Sequence, residues 1–278
     1  MAGGGQVIGR LAGAVALLLG LAPQALAQSS ALEALDTADD ARGWEAVGRL
    51  DIDGKGFCTG ALIAPDVVLT AAHCLFDKTT GQRIDATRID FLAGLRNGRA
   101  EAYRDVTRAV IPESYLYAGG ATAEATRQDV ALLQLSQPIR GTQVTPFQTV
   151  SALHRGTQVG IVSYAHDRSE APALQEICEL MGEQDGILVL GCDVDFGSSG
   201  APIFAIEDGV ARIVSVVSAK ATMDDRRVAL GSSLDAPLAE LQAQLASGAG
   251  VFQVAPPATV RVLGGGERAD TGAKFVRP

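Results

Sequence analysis

Short apolar segments with a strand-like pattern recur along most of the chain, and they limit its fold more than any other feature. Most are a few residues long, rich in Val, Ile and Leu, and bounded by Gly, Pro, Asp or Asn, which is typical of β-strands between turns. Examples are Trp44–Ile52, Phe57–Ile63, Val67–Thr70, Ile89–Ala93, Val130–Leu135, Val159–Ser163, Gly186–Leu190, Pro202–Ile206 and Arg212–Val217. The pattern predicts an all-β sandwich or barrel.

Residues 1–27 have the pattern of a secretory signal peptide. Arg10 is their one charged residue, an apolar run extends from Leu11 to Leu21, and the segment ends in Ala25-Leu26-Ala27. A basic start, a short apolar stretch and small residues at the cleavage position define such a signal. The run is shorter than the roughly 20 residues of a membrane-spanning helix. We therefore expect a secreted or periplasmic protein, with an uncleaved membrane anchor as the alternative.

The chain that remains after removal of this segment is acidic. Loss of Arg10 leaves 22 of the 23 basic residues against 32 acidic ones, a net charge of −10. Nucleic acids and anionic membrane surfaces repel a protein of this charge. We expect no nucleic-acid partner, no stable membrane contact after signal removal, and a monomer.

The chain contains four cysteines, Cys58, Cys74, Cys178 and Cys192, and all lie beyond residue 27. An even number in an exported protein indicates two disulfides, and residue spacing alone leaves all three pairings open. No two cysteines have C-x-x-C spacing, and none has a histidine at zinc-finger spacing. We expect no metal site and no cofactor.

Three polar residues stand beside predicted strands in positions suited to chemistry. His73 follows the strand Val67–Thr70, Asp129 precedes Val130–Leu135, and Ser199 lies among small residues. Taken singly, each has an ordinary explanation: a surface histidine, a strand-end aspartate and a flexible turn. Serine becomes a nucleophile only when a base removes its proton. The serine therefore points to chemistry only if a histidine and a carboxylate lie nearby in the fold.

Together these pieces resemble the chymotrypsin-like (trypsin-like) serine peptidase family. The resemblance rests on three motifs, Thr70-Ala71-Ala72-His73-Cys74, Asp129-Val130-Ala131-Leu132-Leu133 and Gly197-Ser198-Ser199-Gly200-Ala201-Pro202. Their order, His then Asp then Ser, is that of the family, whereas an α/β-hydrolase esterase has the order Ser, Asp, His. The resemblance covers roughly residues 44–247.

The resemblance implies an all-β fold of two antiparallel six-stranded β-barrels and a C-terminal helix. The sequence pattern itself indicates a linker at Leu135–Gln148, through Pro138, Gly141 and Pro146, and a C-terminal helix on which Leu238, Leu241 and Leu245 share one face. The predicted layout is a signal peptide at 1–27, an N-terminal segment at 28–43, a first barrel at 44–140, a second barrel at 141–234, a helix at 235–248 and an extended or disordered tail at 249–278.

The resemblance also implies roles for individual residues in the hydrolysis of protein or peptide substrates. His73 would act as general base, Asp129 would orient it, and Ser199 would be the nucleophile. The backbone N–H groups of Gly197 and Ser199 would form the oxyanion hole. The implied disulfides are Cys58–Cys74, beside the histidine, and Cys178–Cys192, before the serine loop.

Ser198 separates this chain from the animal members of the family. It occupies the position of an aspartate that pairs in those proteins with a newly freed N-terminus, and no Ile-Val-Gly-Gly start is present. In this respect the chain is similar to the bacterial, secreted glutamyl-endopeptidase-like branch. The altered position also motivates the alternative of a catalytically silent relative that binds a peptide or protein partner.

Substrate preference is implied by the segment Arg212–Ser218, which resembles the strand that lines the primary specificity pocket. In that alignment Ser215, Val216 and Val217 contact substrate, and Val217 narrows the pocket in favour of small aliphatic side chains. Asp193, six residues before Ser199, takes the place of the acid that selects basic residues, so a basic preference is the alternative. Val214 replaces the histidine of many glutamyl enzymes, and we do not expect glutamyl specificity.

Overall fold

The computed structural model describes residues 1, 3, 30–150, 153, 157–223 and 225–250. The predicted signal peptide, apart from residues 1 and 3, and the predicted tail beyond residue 250 lie outside these residues. Across the part of the chain that is described, no helix has the length and apolar character needed to span a membrane. The described elements are mostly antiparallel strands, as the pattern of short apolar segments predicts.

The first half is a closed barrel of six strands in the order β2-β3-β4-β7-β6-β5. These strands are β2 Val47–Ile52, β3 Gly56–Ala64, β4 Val67–Thr70, β5 Ile89–Ala93, β6 Ala102–Val110 and β7 Ala131–Leu135. Leu50, Leu62, Phe91 and Leu133 are fully buried in its core. Burial of each such side chain contributes about 1.5–3 kcal/mol, which explains why these alternating apolar positions fix the register.

The second half is an eight-stranded sheet in the order β1-β9-β8-β12-β13-β14-β11-β10. Its strands are β1 Glu33–Ala34, β8 Gln158–Ala165, β9 Arg168–Cys178, β10 Leu180–Gln184, β11 Ile187–Leu190, β12 Pro202–Glu207, β13 Val210–Met223 and β14 Arg226–Ser233. Only Glu179 separates β9 from β10, so the sheet curls back on itself. With β9 and β10 counted as one bent strand, β8 to β14 form the second set of six, and β1 adds a short edge strand.

The two halves share a buried apolar interface. One core cluster contains Leu69 and Leu132 from the first half together with Phe204 and Val216 from the second. The hydroxyl of Tyr164, on β8, donates a hydrogen bond of 2.9 Å to the carbonyl of Leu95, which follows β5. This hydrogen bond joins the loop after β5 in the first half to a strand of the second half.

The C-terminal helix is confirmed, and it runs from Pro237 to Ala246 (α2). Leu241 and Leu245 are buried against the shared cluster, and Leu238 packs at its border. A second, shorter helix, α1 Ala123–Arg127, lies in the first half just before β7. It is absent from the sequence predictions, since five residues carry no helical periodicity.

Both implied disulfides are present in the structure. Cys58 and Cys74 are bonded, which ties β3 to the turn that follows β4, and Cys178 is bonded to Cys192. A disulfide that closes a loop of about 15 residues stabilises a fold by about 3 kcal/mol. Each bridge therefore anchors a segment next to one of the chemically interesting residues.

Candidate active site

His73 lies on a tight 3-10 turn, Ala72–Leu75, that follows β4 directly. Ala71, Ala72 and Leu75 are buried, so the turn is held by its apolar side chains, and the Cys58–Cys74 bridge fastens it from the side. The His73 side chain retains 19 % exposure. The imidazole therefore sits on a rigid base with one side open to the cleft between the two halves.

Asp129 lies between α1 and β7, and its carboxylate is almost completely buried. Its Oδ1 accepts a 2.8 Å hydrogen bond from the His73 backbone N–H, and its Oδ2 lies 2.6 Å from His73 Nδ1. The hydroxyl of Ser218 donates to the same Oδ2 over 2.5 Å. Burial of a carboxylate is costly unless such donors replace water. Since an ionised carboxylate only accepts hydrogen bonds, Nδ1 carries the imidazole proton and Nε2 is left as a base.

A tyrosine completes the surroundings of this carboxylate. Tyr115 is buried beside Asp129, and both residues line the same cavity on one side of His73. Burial, and then the negative charge of Asp129, raise the pKa of the Tyr115 phenol. The phenol therefore remains protonated and adds no charge near the His73–Asp129 pair.

Ser199 lies in a loop whose backbone requires two glycines. Gly197 and Gly200 both have positive φ angles, +99° and +75°. A Cβ on Gly200 would lie 2.1 Å from Thr70 Oγ1, and one on Gly197 would lie 2.2 Å from the Phe57 ring. Only glycine fits this close approach to the first barrel. The backbone carbonyl of Ser199 accepts a hydrogen bond from the Thr59 N–H, which ties the loop to β3.

The backbone N–H groups of this loop fall into two classes. The N–H of Ser198 donates to the Asp195 carbonyl, and that of Gly200 donates to the Val217 carbonyl. Among hydrogen bonds between described residues, none is donated by the N–H of Gly197 or of Ser199. Uncommitted N–H groups on the candidate nucleophile and two residues before it are the groups that an oxyanion hole needs.

Ser198 is held by the interior of the second half and not by an ion pair. It is fully buried, and its Oγ lies 3.2 Å from both Ser163 Oγ and the Tyr164 carbonyl oxygen. A neutral hydroxyl with internal partners needs no charged group to satisfy it. The loop that carries Ser199 is therefore ordered by neutral contacts at this position.

The structure brings His73 and Ser199 to one cavity of about 160 Å³ between the two halves. The lining residues come from the His73 turn, from the loop that leads to Ser199 and from β13. His73 therefore faces Asp129 on one side and shares a cavity with Ser199. This cavity lies where the two halves join.

Of the four residues predicted to contact substrate, Val217 lines this cavity. Ser215 is fully buried and donates its hydroxyl to the Ser232 carbonyl, and Val216 is fully buried in the interface between the halves. The Asp193 carboxylate lies at the surface, 3.6 Å from an Arg227 guanidinium nitrogen. The structure does not bring Asp193, Ser215 or Val216 to the cavity.

Seven residues that line this cavity are absent from the predicted site residues: Lys78, Val194, Asp195, Phe196, Ser218, Ala219 and Lys220. The pairing of β13 with β14 shifts between Val217 and Ala219, so Ser218 is the extra residue of a β-bulge. A bulge redirects side chains locally and is frequent beside functional sites. The sequence does contain two serines three residues apart, Ser215 and Ser218. An ungapped alignment cannot show which of them lines the cavity.

The sulfurs of Cys58 and Cys74 and a ring nitrogen of His73 all lie within 4.8 Å of one another. Such a set resembles a metal-ligand cluster. However, thiolates are the cysteine form that binds metals, and both sulfurs are committed to the disulfide. The cluster is therefore explained by the bridge that supports the His73 turn.

Comparison with known proteins places this geometry in a family. The model of a trypsin-like peptidase domain matches residues 58–214, more than half of the chain. A glutamyl endopeptidase of Bacillus licheniformis is 32% identical over 154 residues, which cover 54% of this chain and 45% of the relative. Serine protease 23 of Mus musculus is 28% identical over 189 residues, covering 56% and 49%. The chain thus spans about half the length of the curated relatives it matches.

Solved structures show the same fold at low sequence identity. A Glu endopeptidase in complex with MPD has a TM-score of 0.61 at 19% identity and covers 78% of this chain and 96% of its own. An inactivated protease paralogue of the scabies mite has a TM-score of 0.60 at 13% identity, with 81% and 99% covered. The family match, the two β-rich halves and the cleft between them together show that this chain belongs to the trypsin-like peptidase family.

Proposed function

We propose that the protein is an exported serine endopeptidase that hydrolyses peptide bonds in protein or peptide substrates with His73, Asp129 and Ser199. The observation that carries the proposal is the fixed imidazole. Asp129 holds His73 through both the backbone N–H and Nδ1, and the cavity beside that imidazole contains Ser199. Family membership supports polypeptides as the substrate class.

The proposed reaction has two stages, formation of an acyl-enzyme and its hydrolysis. His73 Nε2 removes the proton from Ser199 Oγ while Oγ bonds to the substrate carbonyl carbon, and the carbonyl oxygen becomes an anion. The N–H groups of Gly197 and Ser199 stabilise that anion, each by about 3 kcal/mol. The C–N bond then breaks, and His73 returns its proton to the leaving amine. Water attacks the acyl-enzyme by the same route, with His73 again as base, and frees the acid product and Ser199.

Asp129 and Ser218 serve this cycle electrostatically. When His73 accepts the serine proton it becomes a cation, and the adjacent Asp129 carboxylate stabilises it. Ser218 holds that carboxylate in place from the second half. This chemistry takes its base from a side chain and its oxyanion donors from the backbone, so we propose that it needs no cofactor.

At the primary site we propose a preference for small aliphatic residues. Val194 and Val217 line the cavity that contains Ser199 and are almost fully buried, so its floor is apolar. A relative is named a glutamyl endopeptidase, but the two valines offer a glutamate carboxylate no counter-charge, and the lysines that line the same cavity, Lys78 and Lys220, lie beside the exposed Phe196 ring. We propose Val217 as the residue that narrows the floor.

We further propose that the protein acts after export, as a monomer. The signal-like pattern of residues 1–27 and two disulfides fit an oxidising compartment outside the cytoplasm. The net negative charge argues against nucleic-acid or anionic-membrane partners.

The proposal is tested by casein hydrolysis with wild-type protein, Ser199→Ala and Ser198→Ala. Loss of the nucleophile is expected to reduce turnover by at least about 10⁴-fold. Ser198→Ala, the matched change one residue earlier, is expected to retain turnover because that hydroxyl only contacts the interior. A folded wild-type protein that binds polypeptides without cleaving them would instead establish the catalytically silent alternative.

A further inference from the structure

The cavity beside Ser199 has two walls that come from different parts of the second half. One wall is the segment Val194–Phe196, which leads into the Ser199 loop, and the other is Val217–Lys220 on β13. Val194 and Val217 are 6 % and 2 % exposed, so they lie at the base. A side chain that enters the cavity must pass between these walls to reach the apolar floor.

Lys220 and Asp195 join the two walls at the mouth. The Lys220 ammonium lies 2.6 Å from Asp195 Oδ1, and each side chain keeps 45 % exposure, in contrast to the buried floor. The same ammonium lies 3.9 Å from the centre of the Phe196 ring, within cation–π range. We call the contact between Lys220 and Asp195 the rim pair.

Phe196 and a second lysine lie beside the rim pair. The hydrogen bond from Lys220, followed by one from the Phe196 backbone N–H, lowers the pKa of Asp195, so the carboxylate stays ionised. A second lysine, Lys78, belongs to the first half of the protein, and its ammonium lies 5.7 Å from the centre of the Phe196 ring. Phe196 and Asp195 therefore both contact the Lys220 ammonium, so moving that ammonium away from the mouth breaks two contacts.

We propose that the rim pair limits the size of the side chain that enters the primary site, so that Lys220 restricts the mouth above the floor that Val217 narrows. This inference rests on the proposed endopeptidase function. A methyl or isopropyl group passes beneath the pair to the valine floor. A leucine or phenylalanine side chain has to displace Lys220 from both Asp195 and Phe196.

The rim pair also explains why a lysine in this position does not make the cavity a receptor for acidic side chains. Asp195 already neutralises the Lys220 ammonium at hydrogen-bond distance. A substrate carboxylate gains little from a cation that it must first separate from an equally charged partner. Small apolar side chains, which leave the pair intact, remain the favoured class.

The test uses peptide substrates that differ only in the residue before the scissile bond: Ala, Val, Leu, Phe or Glu. In Lys220→Ala we expect the ratio of kcat/KM for Leu to that for Ala to rise about tenfold or more over wild type, the size of effect that a few methylenes produce in an apolar pocket. Asp195→Asn, which keeps the shape but removes the charge, is expected to raise the ratio less. It is the second variant if Lys220→Ala does not fold.

Arg226→Ala is the matched control, since it removes a surface ion pair with Glu179 on the same sheet but does not line the cavity. It is expected to leave the Leu-to-Ala ratio unchanged. A ratio that stays within twofold of wild type in both Lys220→Ala and Asp195→Asn would overturn the size limit. So would wild-type preference for Glu that Lys220→Ala abolishes.

Labelling with a serine-directed fluorophosphonate distinguishes failure of the size limit from failure of the proposed function. Wild-type protein that labels on Ser199 and cleaves the Ala substrate, with an unaltered ratio in the variants, removes only the size limit. Folded wild-type protein that neither labels nor cleaves removes the endopeptidase proposal, and the size limit with it.

Discussion

Much of the candidate site depends on the few buried atoms that surround the Asp129 carboxylate. Its carboxylate is almost inaccessible to water, and it receives the His73 N–H, the His73 Nδ1–H and the Ser218 hydroxyl. The motifs predicted that His73, Asp129 and Ser199 lie close together, and in the structure His73 contacts Asp129 and lines one cavity with Ser199. The role of Ser218 could not be predicted, because Ser218 is the unpaired residue of a β-bulge. Regular strand alternation alone favours Ser215.

Alanine substitution of Ser218 and of Ser215 should have different effects. Ser218→Ala removes a hydrogen bond to a buried charge, a contact worth about 1.5–3 kcal/mol. We expect kcat/KM to fall about 10- to 100-fold, since each 1.4 kcal/mol corresponds to a factor of ten. Ser215→Ala removes the hydrogen bond to the Ser232 carbonyl and is expected to lower the free energy of unfolding by about 1 kcal/mol. Equal activity losses in the two variants would contradict the assignment of Ser218.

Where apolar alternation is strong, the local sequence pattern predicts the strands. Val67–Thr70 and Ile89–Ala93 match β4 and β5 residue for residue. The strands β1, β6, β9, β10 and β14 match none of the segments named from the sequence. In β6 the adjacent Arg104 and Asp105 interrupt the apolar alternation, and Pro172 lies inside β9. They become strands only because neighbouring strands supply hydrogen-bond partners. Propensity alone cannot report such a tertiary contribution.

The Ser199 loop is the element whose shape has the least freedom. Gly200 and Gly209 have nearly equal φ angles, +75° and +76°, but a Cβ on Gly200 meets Thr70 and Thr59 whereas one on Gly209 meets open space. Gly209→Ala is expected to cost about 1–2 kcal/mol from the left-handed backbone alone.

Gly200→Ala adds a clash with the first barrel to that backbone cost. We expect it to lower the free energy of unfolding by more than about 3 kcal/mol and to abolish turnover, as measured by urea unfolding and peptide hydrolysis. Similar losses in the Gly200→Ala and Gly209→Ala variants would show that close approach of the loop to Thr70 is not what requires glycine.

Considered as a whole molecule, the site exists because two halves are held in one relative position. Tyr164 contributes to the interface between them, since its hydroxyl is buried and bonded to the Leu95 carbonyl of the other half. Burial is the main cause that raises the pKa of the Tyr164 phenol. Sequence alone predicted two halves from a linker and the family resemblance, but it contained no signal for this contact, which joins positions far apart in the chain.

The raised pKa has a consequence for stability at alkaline pH. An unfolded tyrosine ionises near pH 10, whereas the buried phenol stays protonated to higher pH. The stability that Tyr164 contributes is therefore complete below about pH 10 and declines as pH rises further. Urea unfolding at pH 8, 10 and 11 should show a steeper decline for wild type than for Tyr164→Phe. Exposed Tyr103→Phe serves as the control and should follow wild type, and identical slopes for all three proteins would refute the assignment.

The most direct test of the account is where a fluorophosphonate bonds to the intact protein. Mass spectrometry of wild-type protein should show one adduct, and peptide mapping should place it on Ser199. His73→Ala, which removes the base, should remain folded and unlabelled. An adduct on another residue, equal labelling of His73→Ala, or folded wild-type protein without any adduct would contradict the claim that His73 activates Ser199.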